Sequence, residues 1–339
     1  MADTKVIPNM PKITSIPGLN SSSGFVSQWK TNNTGYSNSN QIMLPLVASG
    51  TYDFIVNWGD ETSSHITAWN DPAVTHTYPT AGTYTVQITG TITGWMFDGT
   101  WDCLKILNIS NWGPLRLGNV GSYFYGCTNL TITAADLLDI SGMTTFHEFF
   151  GYCSSLTTIP RMNEWDVSNI TVMSIMFCDA TLLNQDITAW DVSNVTVMSQ
   201  MFCNATAFNP NIGLWDTSSL QLMDRMFEGD TAFNQNIGSW NTSNVIDMSQ
   251  SFYNASIFNQ DLSLWNVSKV RTMDWILVGA ALSTINYDAM LIAWSAQAVQ
   301  SSVWFRAGNS KYTAGGAAEA GRTHLISTHS WSITDGGSV

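Results

Sequence analysis

Few side chains in this sequence could do chemistry, and their spacing argues against most of what they could do. The histidines are His65, His76, His147, His324 and His329. His147-Glu148 starts a metalloprotease phrase but lacks the second histidine that H-E-x-x-H requires, and His324 and His329 fall five apart at an expected helix end. Paired carboxylates could serve as general acid and base, with Asp60-Glu61 or Asp166 and Asp191 as candidates. The Asp166 position recurs, however, as Asp191, Asp216, Asn241 and Asn266. A position that accepts Asp and Asn alike is suited to closing an Asx turn, whereas a catalytic carboxylate would have to differ from its copies. No G-x-S-x-G, Walker-type or G-x-G-x-x-G phrase occurs, and no cofactor or metal is called for.

The cysteines Cys103, Cys127, Cys153, Cys178 and Cys203 are spaced 24, 26, 25 and 25 apart, which is not a C-x-x-C metal pattern. They read as a small buried side chain at a recurring core position, or as a Cys178–Cys203 disulfide between adjacent coils. The odd count leaves at least one thiol unpaired.

Carboxamides recur too. Asn184, Asn209, Asn234 and Asn259 could stack as a ladder that satisfies buried backbone groups, or could present amides to a ligand such as a glycan. Beside them, Gln185, Asp186, Asn211, Gln235, Asn236, Gln260 and Asp261 are expected at the surface, where they form the candidate ligand-contact face.

What must position these residues is a 25-residue period. Trp165, Trp190, Trp215, Trp240 and Trp265 each open nearly the same phrase, W-D-V-S-N-V-T-V-M in the clearest copy. Phe177, Phe202, Phe227 and Phe252 keep step, and Phe124 and Phe150 mark degenerate copies upstream. A period of this length means stacked units, none of which can bury its apolar face alone. The tryptophans are therefore expected in the core, since a stripe of them in water would be a large apolar patch. Within one unit, Val195, Met198, Met201 and Phe202 have roughly helical spacing, which predicts a short helix or 3₁₀ turn, and Phe208 to Ile212 fits a short strand.

Composition narrows the function classes. The chain has 339 residues and 15 tryptophans, with 44% hydrophobic and only 11% charged residues, which excludes intrinsic disorder. A net charge of −13 with 12 Lys and Arg disfavours nucleic acid. The longest apolar run, Ile276 to Leu282, is far short of the roughly 20 residues of a membrane span, so no membrane insertion is expected. Residues 1–23 read as an extended arm punctuated by Pro8, Pro11 and Pro17, without the apolar core of a secretory signal. On that reading the chain stays in the cell, leaves by another route, or is a trimmed product in which Met1 is not the native start.

Residues 24–95 alternate apolar and polar in short runs bounded by turns, as in Thr51 to Trp58 and Thr83 to Thr89. The phrases V-N-W-G-D (56–60), H-T-Y (76–78) and A-G-T-Y-T-V (81–86) resemble a PKD-type immunoglobulin-like domain. That resemblance implies a β-sandwich with Trp58 in the core, Asp60 in the turn and a structural His76. The 25-residue phrase, with F-N-Q-D-I downstream, resembles the BspA-like leucine-rich repeats of bacterial and phage surface proteins. It implies a leucine-rich-repeat-like parallel β solenoid over 96–285. The stretch 286–339 resembles the closing segment of such arrays and reads as a small α/β cap. Tyr287, Met290, Leu291 and Trp294 line one helix face, Val303 to Phe305 and Trp331 to Ile333 read as strands, and 314–326 reads as a second helix.

The expected fold class is thus mainly β with short helices: sandwich, solenoid, cap. The resemblances imply a non-enzymatic, surface-displayed adhesion protein. Combined with the missing export signal, they point to a phage virion structural protein on capsid or tail. Its arm would dock on other virion proteins, and its surface would contact a host-surface or environmental glycan or protein. The alternative is an extracellular, bacterial cell-surface adhesin whose signal peptide has been removed.

Overall fold

The computed structural model describes residues 24–280 and 282–339; the arm expected over 1–23 lies outside them. The strands of the first unit are β1 (Phe25–Lys30), β2 (Gln41–Met43), β3 (Thr51–Asn57), β4 (Ser63–Ile66), β5 (Thr75–Thr77), β6 (Thr83–Thr93), β7 (Ile106–Asn111), β8 (Leu115–Arg116) and β9 (Thr131–Ile132). Alternation does what it should locally: β3 buries Tyr52, Phe54 and Val56 and turns the residues between them outward. Strand β6 is long enough to pair antiparallel with β1 over its first half and with β3 over its second. Strand β7 then adds antiparallel to β1, and β9 adds parallel to β7.

The result overturns the expected sandwich. The strands run in one open, mixed, seven-stranded sheet ordered β4-β3-β6-β1-β7-β9, with β8 alongside β6, and the only sheet beside it in this region is the two-stranded β2–β5 pair. A sandwich needs two packed sheets of comparable size. Alternation specifies which face of a strand is buried, but not whether the sheet closes on a second one. Residues 106–132 also pair into this sheet, so it runs on without a break from the first unit into the first copies of the repeat.

The solenoid sheet is likewise absent. From Thr145 to Thr272, successive windings meet through single parallel bridges: Thr145–Val172, Val172–Val197, Val197–Leu222, Leu222–Asp247 and Asp247–Thr272. No strand extends from these bridges, and no sheet curls around an axis. Of the short helix or 3₁₀ turn expected at Val195 to Phe202, no helix forms, and the segment is made of turns. Gln200 and Asn204 hold φ of 58° and 55°, and the same left-handed pair recurs at Ile175 and Asp179, at Arg225 and Gly229, and at Gln250 and Asn254. Two left-handed residues per winding break both an α-helix and an extended strand.

What forms instead is a run of tight turns that bonds in two directions. The amides of Met198, Gln200, Phe202 and Asn204 donate to the carbonyls of Leu222, Asp224, Met226 and Glu228 in the next winding. The intervening amides of Met201, Cys203 and Ala205 donate back three residues within their own winding. Apolar spacing of three and four therefore mimicked a helix, although it belongs to consecutive turns. The expected strand at Phe208 to Ile212 is irregular backbone.

The core is one continuous cluster from Phe25 to Trp331. Inside the windings, rings stack in register: Phe177 on Phe202 at 5.8 Å, Phe202 on Phe227 and Phe227 on Phe252 at 5.6 Å each, with Phe233 packed against Phe227 at 4.0 Å. Helices α1 (Thr284–Ser295) and α2 (Ala317–His329) and the parallel strands β10 (Trp304–Arg306) and β11 (Ser332–Thr334) cover the last winding. Helix α1 is capped by Ser283 and buries Tyr287, Met290, Leu291 and Trp294. Among the described residues, no helix is long and apolar enough to cross a membrane.

Candidate functional site

The recurring polar side chains fall into two sets. One set ties winding to winding. The Asn184 side-chain oxygen accepts the Asn209 amide at 3.2 Å, Asn209 accepts Asn234 at 3.1 Å, and Asn234 accepts Asn259 at 2.9 Å. Three of the expected contact residues belong to this set. Gln235 donates to both oxygens of Asn209, and Gln260 to both oxygens of Asn234, at 2.8–3.0 Å. Gln185 is buried; its oxygen accepts the Ile159 amide at 2.6 Å and its nitrogen donates to the Asp186 carbonyl at 3.0 Å. Gln185 satisfies a buried backbone amide, and Gln235 and Gln260 satisfy part-buried backbone carbonyls of the preceding winding. Replacing Asn234 with alanine is expected to orphan the Asn259 amide and half-free Gln260. Such a change costs about 1–3 kcal/mol for the orphaned donor, to be read as a lower denaturation midpoint in a thermal melt.

The second set is exposed. Asp186, Asn211, Asn236 and Asp261 each close an Asx turn, accepting the amide of Thr188, Gly213, Gly238 or Ser263 at 2.8–3.2 Å. They lie one per winding along a single edge. The register is tight: a β-carbon on Gly213 or Gly238 would collide with the carbonyl of Asn236 or Asp261 in the next winding. Sequence reasoning missed the residues beside them. Leu214 and Leu264 are 93% and 79% exposed on this edge, two windings apart. The signal was available, since the same position reads Ala189, Leu214, Ser239 and Leu264 and so carries no apolar constraint.

A parallel edge carries the residues after each tryptophan. Asp166, Asp191, Asp216, Asn241 and Asn266 accept the amides of Ser168, Ser193, Ser218, Ser243 and Ser268. The Ser168 hydroxyl and amide hold the Asp166 carboxyl below the usual carboxylate range, and Ser193 does the same for Asp191. Carboxylates so bonded are poor proton acceptors at neutral pH.

The tryptophans face inward. Trp165, Trp190, Trp215, Trp240 and Trp265 are all buried. The indoles of Trp190, Trp215, Trp240 and Trp265 donate to the carbonyls of Met162, Ile187, Ile212 and Ile237 in the preceding winding, at 2.9–3.3 Å. Trp294 of α1 continues the series onto Leu262, so the terminal unit takes the place of a further winding. All five cysteines are buried and free. A hydrogen bond to Cys203, followed by burial, pushes the Cys178 thiol far up, and burial pushes Cys127 and Cys153 up.

Elsewhere, the residues of the W-G-D turn form one bonded group. Trp58 is fully buried beneath the His76 ring, stacked at 4.7 Å, and His76 meets Asp60 at 2.8 Å. His147 bonds Ser174 at 2.7 Å, and His324 and His329 meet edge to face at 5.4 Å. Among the described residues, no three His, Cys, Asp or Glu side chains converge as a metal site would require. One carboxyl does depart from its copies. Asp230 stands where other windings carry Ala180, Ala205 and Ala255, is fully buried, and is pushed by burial up to about 8.

The windings also carry a likeness to other proteins. The model of a family described as Mycoplasma protein of unknown function, DUF285, matches residues 93–212 and again residues 182–290. Together the two matches span more than half of the chain. The chain belongs to this DUF285 family. That one family model fits twice in overlapping registers follows from the recurrence of the windings themselves. The DUF285 matches begin at the end of β6, so they include the strands through which the windings join the open sheet. No curated protein and no solved structure matches the chain.

Proposed function

We propose that this chain is a non-enzymatic surface-display protein, a phage virion component exposed on capsid or tail, that contacts a host-surface or environmental glycan or protein. The observation that carries the reading is the division of polar groups in the windings. Carboxamides that bond from winding to winding fix the stack, and Asp186, Asn211, Asn236, Asp261, Leu214 and Leu264 recur along one exposed edge. A row of like groups at fixed spacing suits multivalent contact, in which weak single interactions add through effective concentration. Catalysis has no such use for copies, and the recurring carboxylates are engaged in turns. The resemblance of the 25-residue phrase to repeats of bacterial and phage surface proteins supports display at a surface. Residues 1–23 would supply the attachment to other virion proteins.

A second reading, a bacterial cell-surface adhesin, is favoured by the family's description as a Mycoplasma protein. Mass spectrometry of purified virions and of bacterial surface fractions separates the two. The virion reading expects this polypeptide in particles at structural copy number, and its absence there would end that placement. A glycan library incubated with the protein checks the non-enzymatic reading, because any product released would refute it.

A further inference from the structure

Beneath the loop between β1 and β2 lies a fully buried ion pair. Asp102 accepts the Ser37 amide at 2.9 Å, the Ser37 hydroxyl at 2.6 Å and the Met43 amide at 2.7 Å. The Lys105 ammonium lies 3.5 Å from Asp102 and donates to the carbonyls of Ser37, Asn38 and Gln41, each at 2.9 Å. Burying two charges is expensive, and a chain that does so with every donor matched gains a rigid loop. That rigidity is transmitted to Trp101, the neighbour of Asp102. Its carbonyl accepts the Tyr36 amide at 3.0 Å, its ring packs 5.5 Å from Tyr36, and its backbone holds a φ of 38°. A bulky residue in the left-handed region is strained, and such strain gathers at ligand clamps.

The held Trp101 lines a cavity of about 300 Å³, a volume at the small end of those that take small molecules. Trp69, 45% exposed, lines it too, together with Leu44, Leu46 and Val74. The rim is polar, with Asn70 and Asp71. The geometry points to a binding site for a neutral saccharide. A pyranose ring has one apolar C–H face, which suits the negative π-face of an indole, and a hydroxyl edge that can bond Asn70 and Asp71. A purely apolar ligand would leave that rim unmatched. An anionic sugar would set its carboxylate against Asp71 in a chain of net charge −13. The site deepens the proposed function and rests on it, naming the ligand class and placing it outside the windings.

The test uses the full chain, tryptophan fluorescence and calorimetry, with neutral oligosaccharides of glucose, galactose, mannose and N-acetylglucosamine and with oligogalacturonate. Saturable binding of at least one neutral series is expected. Trp69→Ala should weaken it about 10-fold, the loss of about 1.4 kcal/mol expected for one stacking face. Trp69→Phe should restore most of it, and Trp304→Ala, at an exposed tryptophan of the C-terminal unit, should leave it unchanged. Binding that survives in a folded Trp69→Ala protein overturns the location, and tighter binding of oligogalacturonate overturns the ligand class. Absence of any neutral binding overturns the site; if the same preparation still binds intact host cells, only the site falls, and if it does not, the display reading falls with it.

Discussion

Asp230→Ala is expected to stabilise the windings, and to do so more strongly as pH rises from about 4 to about 8. The wild-type carboxyl is fully buried at a position that is alanine in neighbouring windings, and burial pushes it up to about 8. One of its oxygens accepts the amides of Ala232 and Phe233 at 3.1 Å, while the other has no partner. Below the unfolded carboxyl's value, near 4, both states hold the proton and nothing is lost. Between there and about 8 the unfolded chain ionises and the folded chain does not, so stability falls as pH rises. By neutral pH the loss is on the order of 4 kcal/mol. Alanine removes that loss at little local cost, because the turn has another way to close: in sister windings the Phe208 and Phe258 amides donate to the carbonyls of Ala205 and Ala255, at 2.8 and 3.0 Å. Chemical denaturation followed by tryptophan fluorescence at a series of pH values should show the two profiles converging near pH 4 and diverging above it. Parallel profiles would mean that Asp230 is ionised in the folded protein.

Phe227→Ala is expected to be among the most damaging single changes in the stack. The ring is fully buried, with Phe202 and Phe252 each at 5.6 Å, Phe233 at 4.0 Å and Trp240 at 6.3 Å. Truncating a buried phenylalanine costs about 3–5 kcal/mol, part of it from the cavity left behind. In a stacked array each unit leans on its neighbours alone, so the loss uncouples the windings on either side. Hydrogen exchange should therefore speed up across residues 200–255, while the open sheet around Trp29 keeps its protection. Uniform acceleration through both regions would instead mean that sheet and windings unfold as one unit.

The two residues illustrate what a single sequence can disclose. The ring column was legible because identical residues recur every 25 positions, and recurrence of an apolar side chain implies burial against its copy. The terminal helix was legible for a similar reason: Tyr287, Met290, Leu291 and Trp294 have one-face spacing, and α1 buries all four. The backbone between these landmarks was not. The second left-handed position left a trace, since Asp179, Asn204, Gly229 and Asn254 are types that tolerate positive φ, but the first, at Ile175, Gln200, Arg225 and Gln250, announces no turn. Nor could alternation in β3 and β6 tell an open mixed sheet from a sandwich, since both bury one face of each strand.

At the candidate site the same limit applied. Gln185, Gln235 and Gln260 have the composition of a surface, and only coordinates reveal that they bond across windings. Asp186, Asn211, Asn236 and Asp261 are at the surface, each already occupied by a turn. The cavity beside Trp69 left no periodic trace, because it is built from the segment that repeats nothing.

Each winding hands its amides to the next, and Trp294 answers the last with the same indole bond that Trp190, Trp215, Trp240 and Trp265 make. The C-terminal end of the array is thus indifferent to how many copies precede it. The array could be lengthened or shortened by whole 25-residue modules without redesign of the terminal unit, and the cysteine intervals of 24 and 26 residues upstream mark windings that already take up a residue more or less within a turn.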